Sequence, residues 1–316
     1  MIKEALFYSK ILLFGEYGII QDSMGLSIPY RAFRGEFKFT DDPTPEQQKS
    51  TDSLKKFARY IHDLSKQEDF HCVIDVDAFK RDIAKGVYFD STIPQGFGVG
   101  SSGALVAAVY DKYAENKIDS QENIAKGDIL ELKKTFGNLE AYFHGKSSGI
   151  DPLICYLKLP ILIKSKSELG TVGIPESKPD TVEGSGAIFL LNSGQPGETQ
   201  PMVNIFMERM KNEGFRNMIK KEFKKYNDEC IKAFLNGDSK PLFKNLKSLS
   251  SLILDNFKPM IPKTFHSLWE KGLESNAYYL KLCGSGGGGF VLGFTQDLEK
   301  AQSLLKDHEL EVIYRL

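Results

Sequence analysis

"PQGFGVGSSGALVAAVY", residues 94–110, crowds four glycines and two serines in front of a run of alanine, valine and leucine. Glycine lacks a Cβ, so it enters φ > 0 without steric cost and lets a ligand approach the main chain closely. A helix starting directly afterwards turns several N–H groups without intrahelical partners, and the positive end of its dipole, toward that gap. Such an arrangement suits an anion such as a phosphate. Ser101 and Ser102 add hydroxyls that can bond to phosphate or join the oxygen shell of Mg²⁺. The plainer alternative is a tight strand-to-helix turn whose glycines serve packing alone. A second run, "KLCGSGGGGFVLGF" at 281–294, weighs against it and suggests that two glycine loops form two walls of one site.

Both runs satisfy GxGxxG, at Gly98, Gly100 and Gly103 and at Gly284, Gly286 and Gly289. A dinucleotide fold, however, needs the first glycine directly after a buried parallel strand and an acid about twenty residues later. "STIPQG" puts a proline where that strand should end, and Gly284 leads into another strand rather than a helix. The P-loop pattern GxxxxGK(S/T) is absent as well. A bound nucleotide would therefore be held by neither of these two common folds.

With 316 residues, 41% of them hydrophobic, the chain is long enough for two domains. Lys plus Arg (41) nearly cancel Asp plus Glu (42), so no strong overall field draws it to nucleic acid or an anionic membrane. Any bound anion must be met locally. Cys72, Cys155, Cys230 and Cys283 form no CxxC pair and read as reduced thiols, which points to the cytoplasm. Lys3, Glu4, Lys10 and Glu16 interrupt the apolar N-terminal stretch, which is not expected to be a signal peptide. No uninterrupted apolar stretch approaches the roughly 20 residues that cross a bilayer. The oligomeric state is left open, with a homodimer among the options.

Residues 5–14 and 71–77 read as strands, the second by alternation of Cys72, Ile74 and Val76. Between them Thr44, Pro45 and Gln47 form a helix start, followed by Leu54, Phe57, Ala58, Ile61 and Leu64 at helical spacing. The glycine turn leads into a helix through about Tyr113, then a second over 121–144, then "SSGIDPLICYLKLPILI" as a loop leading into strands. Residues 165–185, rich in Ser, Gly, Pro and charge, mark the domain boundary, which divides the chain into 1–180 and 181–316. Beyond it come a strand ("AIFLLNSG"), helices over 201–236, 241–256 and 262–275, two strands flanking the second glycine run, a helix over 297–307 and a last strand. That order is a split βαβ, ferredoxin-like arrangement with extra helices.

Glu140 and Asp151 flank "AYFHGKSSGI". A carboxylate near a bound phosphate can ligate Mg²⁺, and one beside a hydroxyl can act as a base. Each is equally readable as a solvated surface acid, and Lys10 as an edge-strand lysine that discourages aggregation. Lys10 would need a partner such as Asp151. Five histidines form neither HxxxH nor HExxH, which argues against zinc, and GxSxG fails because Ala104 follows Ser102 and Gly103. Aromatics are not interleaved with basic clusters as a nucleic-acid surface requires. Phosphoryl transfer remains.

In order along the chain, "YSKILLFGEYGII", "PQGFGVGSSGALVAA" and "KLCGSGGGGFVLGF" resemble the three motifs of the GHMP kinase superfamily, PGKxxLxGEHxVV, PxGxGLGSSAA and KLTGAGGGGC; "HGKSSGID" resembles its HGxPSGxD segment. The resemblance implies an α+β fold of two domains, an N-terminal one like ribosomal protein S5 domain 2 and a ferredoxin-like C-terminal one, with ATP between them. It implies that Asp151 accepts the proton of a substrate hydroxyl, that Lys10 pairs with Asp151, and that Ser102 and Glu140 are Mg²⁺ ligands. It places phosphate on Gly96, Gly98, Gly100, Ser101, Ser102, Gly103 and Ala104. It places Glu16, Tyr17, Ser27, Thr199, Gly284, Ser285 and Gly286 around the substrate and the third motif.

Within the superfamily, "GEYGIIQD" lacks the sugar-binding continuation of galactokinase, and no PASSANLG-like opening of homoserine kinase is present. The segments after Ser147 and around Thr199 are most similar to the mevalonate kinases, so the expected acceptor is the small-molecule alcohol mevalonate. Phosphomevalonate kinase, a sugar kinase and a catalytically silent nucleotide-binding regulator are the alternatives. Ser9, Tyr17, Gly103, Ser147 and Cys283 depart from the motifs, and Tyr17, in place of a histidine near the substrate, would suit a different alcohol.

Overall fold

The computed structural model describes residues 5–120, 124–165, 167–179 and 186–316. Strand β1 (Phe7–Phe14) is followed by the long β2 (Gly25–Phe39), helices α1 (Pro45–Leu64) and α2 (Val76–Ala84), and strand β3 (Val87–Ser91). Helices α3 (Ser101–Tyr113), α4 (Lys126–His144) and α5 (Ile150–Leu157) precede the short strands β4 (Ile161–Ile163) and β5 (Leu169–Thr171). Then come β6 (Ala187–Asn192), α6 (Thr199–Arg209), α7 (Glu213–Met218), α8 (Lys224–Leu235), α9 (Ser239–Asn256) and α10 (His266–Ser275). Strands β7 (Tyr279–Leu282) and β8 (Phe290–Thr295), helix α11 (Leu298–Leu304) and β9 (Leu310–Arg315) complete the chain. The expected division between residues 180 and 181 lies outside the described residues.

By its internal contacts the chain forms two units, one of residues up to Lys10, 29–94 and 100–159, the other of 11–28, 95–99 and 160–316. In the first, β3 pairs antiparallel with β2 from Gly35↔Ser91 to Phe39↔Val87. Two of its helices, α1 and α2, begin where a side chain satisfies a free N–H group. Thr44 accepts from the Gln47 amide while the Gln47 side chain accepts from the Thr44 amide, the reciprocal cap expected from sequence. From that start α1 buries Leu54, Phe57, Ala58, Ile61 and Leu64 on one face.

Two expectations fail in this unit. Residues 71–77 are not a strand: a single bridge joins Ile74 to Ala114, and the Asp75 carboxylate accepts from the Ala78 amide to open α2. The alternating burial of Cys72, Ile74 and Val76 is real, but the cap ends the extended stretch. Nor is "IDPLICYL" a loop. It is α5, buried at every position except Asp151, with Pro152 tolerated because it lies in the first turn.

In the second unit the near end of β2 pairs with β4 from Gly25↔Ile163 to Ser27↔Ile161, and β4 pairs with β5. A separate four-stranded antiparallel sheet has the order β7-β8-β6-β9. This is the ferredoxin-like order, and every residue of β7 and β8 is buried. The segment expected as one helix over 201–236 is instead interrupted. Asn212 caps α7 through the Phe215 amide, and a π-turn at Ile219–Phe223 joins α7 to α8. Ile219 and Phe223, at its two ends, are both buried.

Candidate active site

Helix α3 opens at Gly100, whose φ of 84° is left-handed, and no side chain caps it. Gly96, Gly98 and Gly100 take positive φ (80°, 77° and 84°) while Phe97 and Val99 between them do not. Backbone that alternates in this way can turn successive amides to one side, an arrangement that suits an anion. Side chains would not fit. A Cβ on Gly100 would lie 2.9 Å from the Lys10 Cγ, and one on Gly98 would lie 2.5 Å from the Cys283 carbonyl oxygen.

Lys10, on β1, is buried, and its Nζ sits 3.0 Å from an Asp151 carboxylate oxygen. Asp151 occupies the first turn of α5, where a negative charge is favoured by the helix dipole. Its carboxylate keeps 39% exposure, against 4% for the lysine side chain, so the acid end of the pair is the reachable one. Gly149 makes this placement feasible, because a Cβ there would collide with the Lys133 carbonyl oxygen at 2.0 Å.

Glu140, on the buried face of α4, accepts from the Ser102 hydroxyl at 2.9 Å and from the Ser147 hydroxyl at 2.5 Å. Burial raises its pKa first, and the charge of Asp151 adds to it; the two serine bonds and Lys10 oppose them, leaving a value of about 7. His144 Nε2 lies 3.1 Å from the same Ser102 hydroxyl, and burial lowers the imidazole's pKa against the pull of Asp151. Ser102 and Glu140 thus offer oxygen donors alone. Among the described residues no group of three or more His, Cys, Asp or Glu gathers for a metal. That donor set fits Mg²⁺, which is commonly held by one or two carboxylates together with substrate phosphates.

Gly103 stands where the second motif has alanine. The structure gives the reason: a Cβ at this position would lie 2.8 Å from the Asp151 carbonyl carbon and 2.9 Å from the Pro152 nitrogen. Gly103→Ala is expected to destabilise the protein by about 1–3 kcal/mol through overpacking and to displace Asp151. A denaturant midpoint equal to that of the unaltered protein would contradict this.

In the second unit the two glycine stretches meet backbone to backbone. Gly98 packs on Cys283 and Gly284, Gly289 on Phe97, and the Gly197 amide donates to the Gly96 carbonyl at 2.8 Å. Tyr17 donates to the Ser285 carbonyl at 2.7 Å, and the Ser285 and Thr199 hydroxyls lie 3.4 Å apart. Gly286 is fixed nearby, its Cβ position lying 2.5 Å from the Met260 carbonyl oxygen. Glu16 forms a buried ion pair with Lys281 at 2.5 Å. Ser27 is fully buried and its hydroxyl is engaged by the Ile11 carbonyl at 2.9 Å, within the strands rather than with the other candidates.

Two family models match the chain, "GHMP kinases N terminal domain" over residues 57–158 and "GHMP kinases C terminal" over residues 230–309, together more than half of it. The chain belongs to the GHMP kinases. It is thereby a kinase of the ATP-using kind, with the two-domain α+β fold of that family. No curated protein sequence matches it. Among solved structures it is similar to mevalonate kinase from L. major in complex with R-mevalonate (15% identity, 100% of this chain and 97% of that one, TM-score 0.64). It is similar to Streptococcus pneumoniae phosphomevalonate kinase in complex with phosphomevalonate and AMPPNP (14% identity, 100% of both chains, TM-score 0.63). It is also similar to Lactococcus lactis galactokinase complexed with galactose (14% identity, 99% and 94%, TM-score 0.64). At these identities the likeness is one of fold.

Three side chains of this GHMP kinase that touch the candidates were not predicted as site residues: His144, Ser147 and Lys281. The first two lie inside "HGKSSGID", and Lys281 opens the third motif. Only position within a motif could have flagged them, since nothing in residue type separates them from the chain's other histidines, serines and lysines.

Proposed function

We propose that this GHMP kinase transfers the γ-phosphoryl group of ATP to a primary alcohol, with mevalonate as the acceptor and 5-phosphomevalonate as the product. The observation that carries the reading is the Lys10–Asp151 pair at 3.0 Å, a buried cation holding a half-exposed carboxylate beside an uncapped helix start. A binder of nucleotide would need the glycines but not this pair.

In this reading the amides of Gly96 to Ala104 hold the triphosphate, and the acceptor's hydroxyl lies against Asp151. Asp151 takes the hydroxyl proton as the oxygen attacks phosphorus, and Lys10 keeps the carboxylate oriented and balances charge on the transferred group. Ser102 and Glu140 would hold Mg²⁺, which when bound neutralises charge developing on the phosphate oxygens. Because little covalent work falls to the protein, positioning supplies most of the rate.

Phosphomevalonate is the second reading, favoured by full-length similarity to a kinase solved with that compound. ATP consumption measured with mevalonate, phosphomevalonate, galactose and homoserine in parallel separates them. Mevalonate is expected to give the highest kcat/KM. A higher value with another acceptor transfers the assignment to it, and no turnover with any would favour a silent nucleotide-binding protein.

A further inference from the structure

The loop from Cys283 to Gly289 joins two fully buried strands, yet Gly284, Gly286, Gly287 and Gly289 all take positive φ. Glycine loses more conformational freedom on ordering than any other residue, so a loop of this composition needs specific anchors to hold one shape. Near the β8 end the Gly289 amide donates to the Gln195 carbonyl and the Gly287 amide to the Met260 carbonyl, both at 2.7 Å. At the β7 end the anchors come from two consecutive residues of the first motif. Glu16 pairs with Lys281, and the Tyr17 hydroxyl donates to the Ser285 carbonyl at 2.7 Å.

Tyr17 is built for that one contact. Its ring is buried, with centroids 4.6 Å from Phe206 and 5.9 Å from Phe257, and Phe257 packs in turn on Phe215 and Phe223. Its backbone has φ 59°, uncommon for a non-glycine residue and costly unless the surroundings fix it. A buried phenol needs a partner for its hydroxyl, and the Ser285 carbonyl is that partner. Burial, reinforced by the neighbouring Glu16 charge, pushes the phenol's pKa far above its ordinary value, so it remains a donor.

We propose that Tyr17 is a positioning residue, whose hydroxyl holds the third-motif glycine loop in its nucleotide-ready shape by binding the Ser285 carbonyl. Because the hydroxyl is spent on the loop, Tyr17 acts through Ser285 rather than on the acceptor. The link to nucleotide rests on the kinase reading above; the tether itself does not.

Tyr17→Phe tests both, since it keeps the ring and removes only the hydroxyl. In the full-length protein without ligand, hydrogen exchange at the Gly287 and Gly289 amides is expected to accelerate about fivefold to tenfold. Exchange at Val291 to Phe294 in β8 should accelerate less than at the two glycines. Unchanged exchange at the two glycines would overturn the tether. Uniform acceleration through β8 with a lower melting temperature would overturn it too, by showing a packing role alone. The same variant is expected to bind AMPPNP with Mg²⁺ about threefold to tenfold more weakly than the unaltered protein. Equal affinity would overturn the link to nucleotide. Should the unaltered protein bind no AMPPNP, the kinase reading fails, and the exchange data still decide the tether.

Discussion

Asp151→Asn is expected to lower turnover about 10²- to 10⁴-fold while leaving AMPPNP affinity within about threefold. The asparagine keeps the size of the side chain and an acceptor oxygen for Lys10, so the pair's geometry survives while the ability to take a proton is lost. The lysine side chain is only 4% exposed, and truncating Asp151 outright would remove a carboxylate that pairs with a buried cation, a change that costs stability as well as rate. Asparagine separates the two effects, provided the melting temperature is recorded alongside the kinetics. A variant that folds, binds AMPPNP and turns over at the original rate would show that Asp151 is no base. A loss in kcat alone, with the acceptor's KM unchanged, is the pattern for an interaction made only in the transition state. Nucleotide affinity should hold because the carboxylate lies on the acceptor side of the proposed arrangement, while the amides that grip phosphate begin at the glycine turn.

What the residues alone disclosed, and what they concealed, follows from the range of the forces involved. Capping is local, so Thr44 and Gln47 announced α1 four residues into its own segment. Likewise the strand, helix and glycine order at the C-terminal end was enough to predict the β7-β8-β6-β9 sheet. Helix α5 was hidden because all its residues but Asp151 are buried, which leaves no polar face for a helical period to show. The break between α6 and α7 was legible only in part: Asn212 and Gly214 mark it, but Phe206 and Met210 before it and Phe215 and Ile219 after it are each spaced by four, which reads as one helix. The site shows the same division. The glycine turn is a contiguous stretch, and its suitability for an anion could be argued from glycine and helix physics alone. Lys10 and Asp151 lie 141 residues apart in sequence, so nothing short of resemblance could join them before the fold brought them to 3.0 Å. Gly103 looked like a plain departure from the motif until the first turn of α5 was seen to leave no room for a methyl group.

Glu140→Gln should have opposite consequences for stability and for catalysis. In the folded protein the carboxyl titrates at about 7, above the ordinary 4.5, chiefly because it is buried and secondarily because Asp151 is near. The folded state therefore binds that proton more tightly than the unfolded chain does. Its contribution to stability is complete below about pH 4.5 and is lost as pH rises through about 7. At pH 8 the ionised group costs on the order of 1–3 kcal/mol, which glutamine, neutral at all pH, does not. Without Mg²⁺ the variant is expected to melt about 3–8 °C higher than the unaltered protein at pH 8 and at nearly the same temperature at pH 4.5. An equal or lower melting temperature at pH 8 would mean that the carboxylate is compensated by its serine partners after all. Catalysis should move the other way, falling about 10²- to 10³-fold, because a neutral amide is a poor ligand for a hard cation. If Glu140 holds Mg²⁺ as proposed, proton and cation compete for one carboxylate, and Mg²⁺ affinity in the unaltered protein should drop about tenfold per pH unit below about 7. Titration of Mg²⁺ with AMPPNP at pH 6 and pH 8 measures that slope, and its absence in the glutamine variant would tie it to Glu140. On the proposed reading such an acid is a poor choice for stability and a good one for function, because a bound cation would offset the cost of charging it.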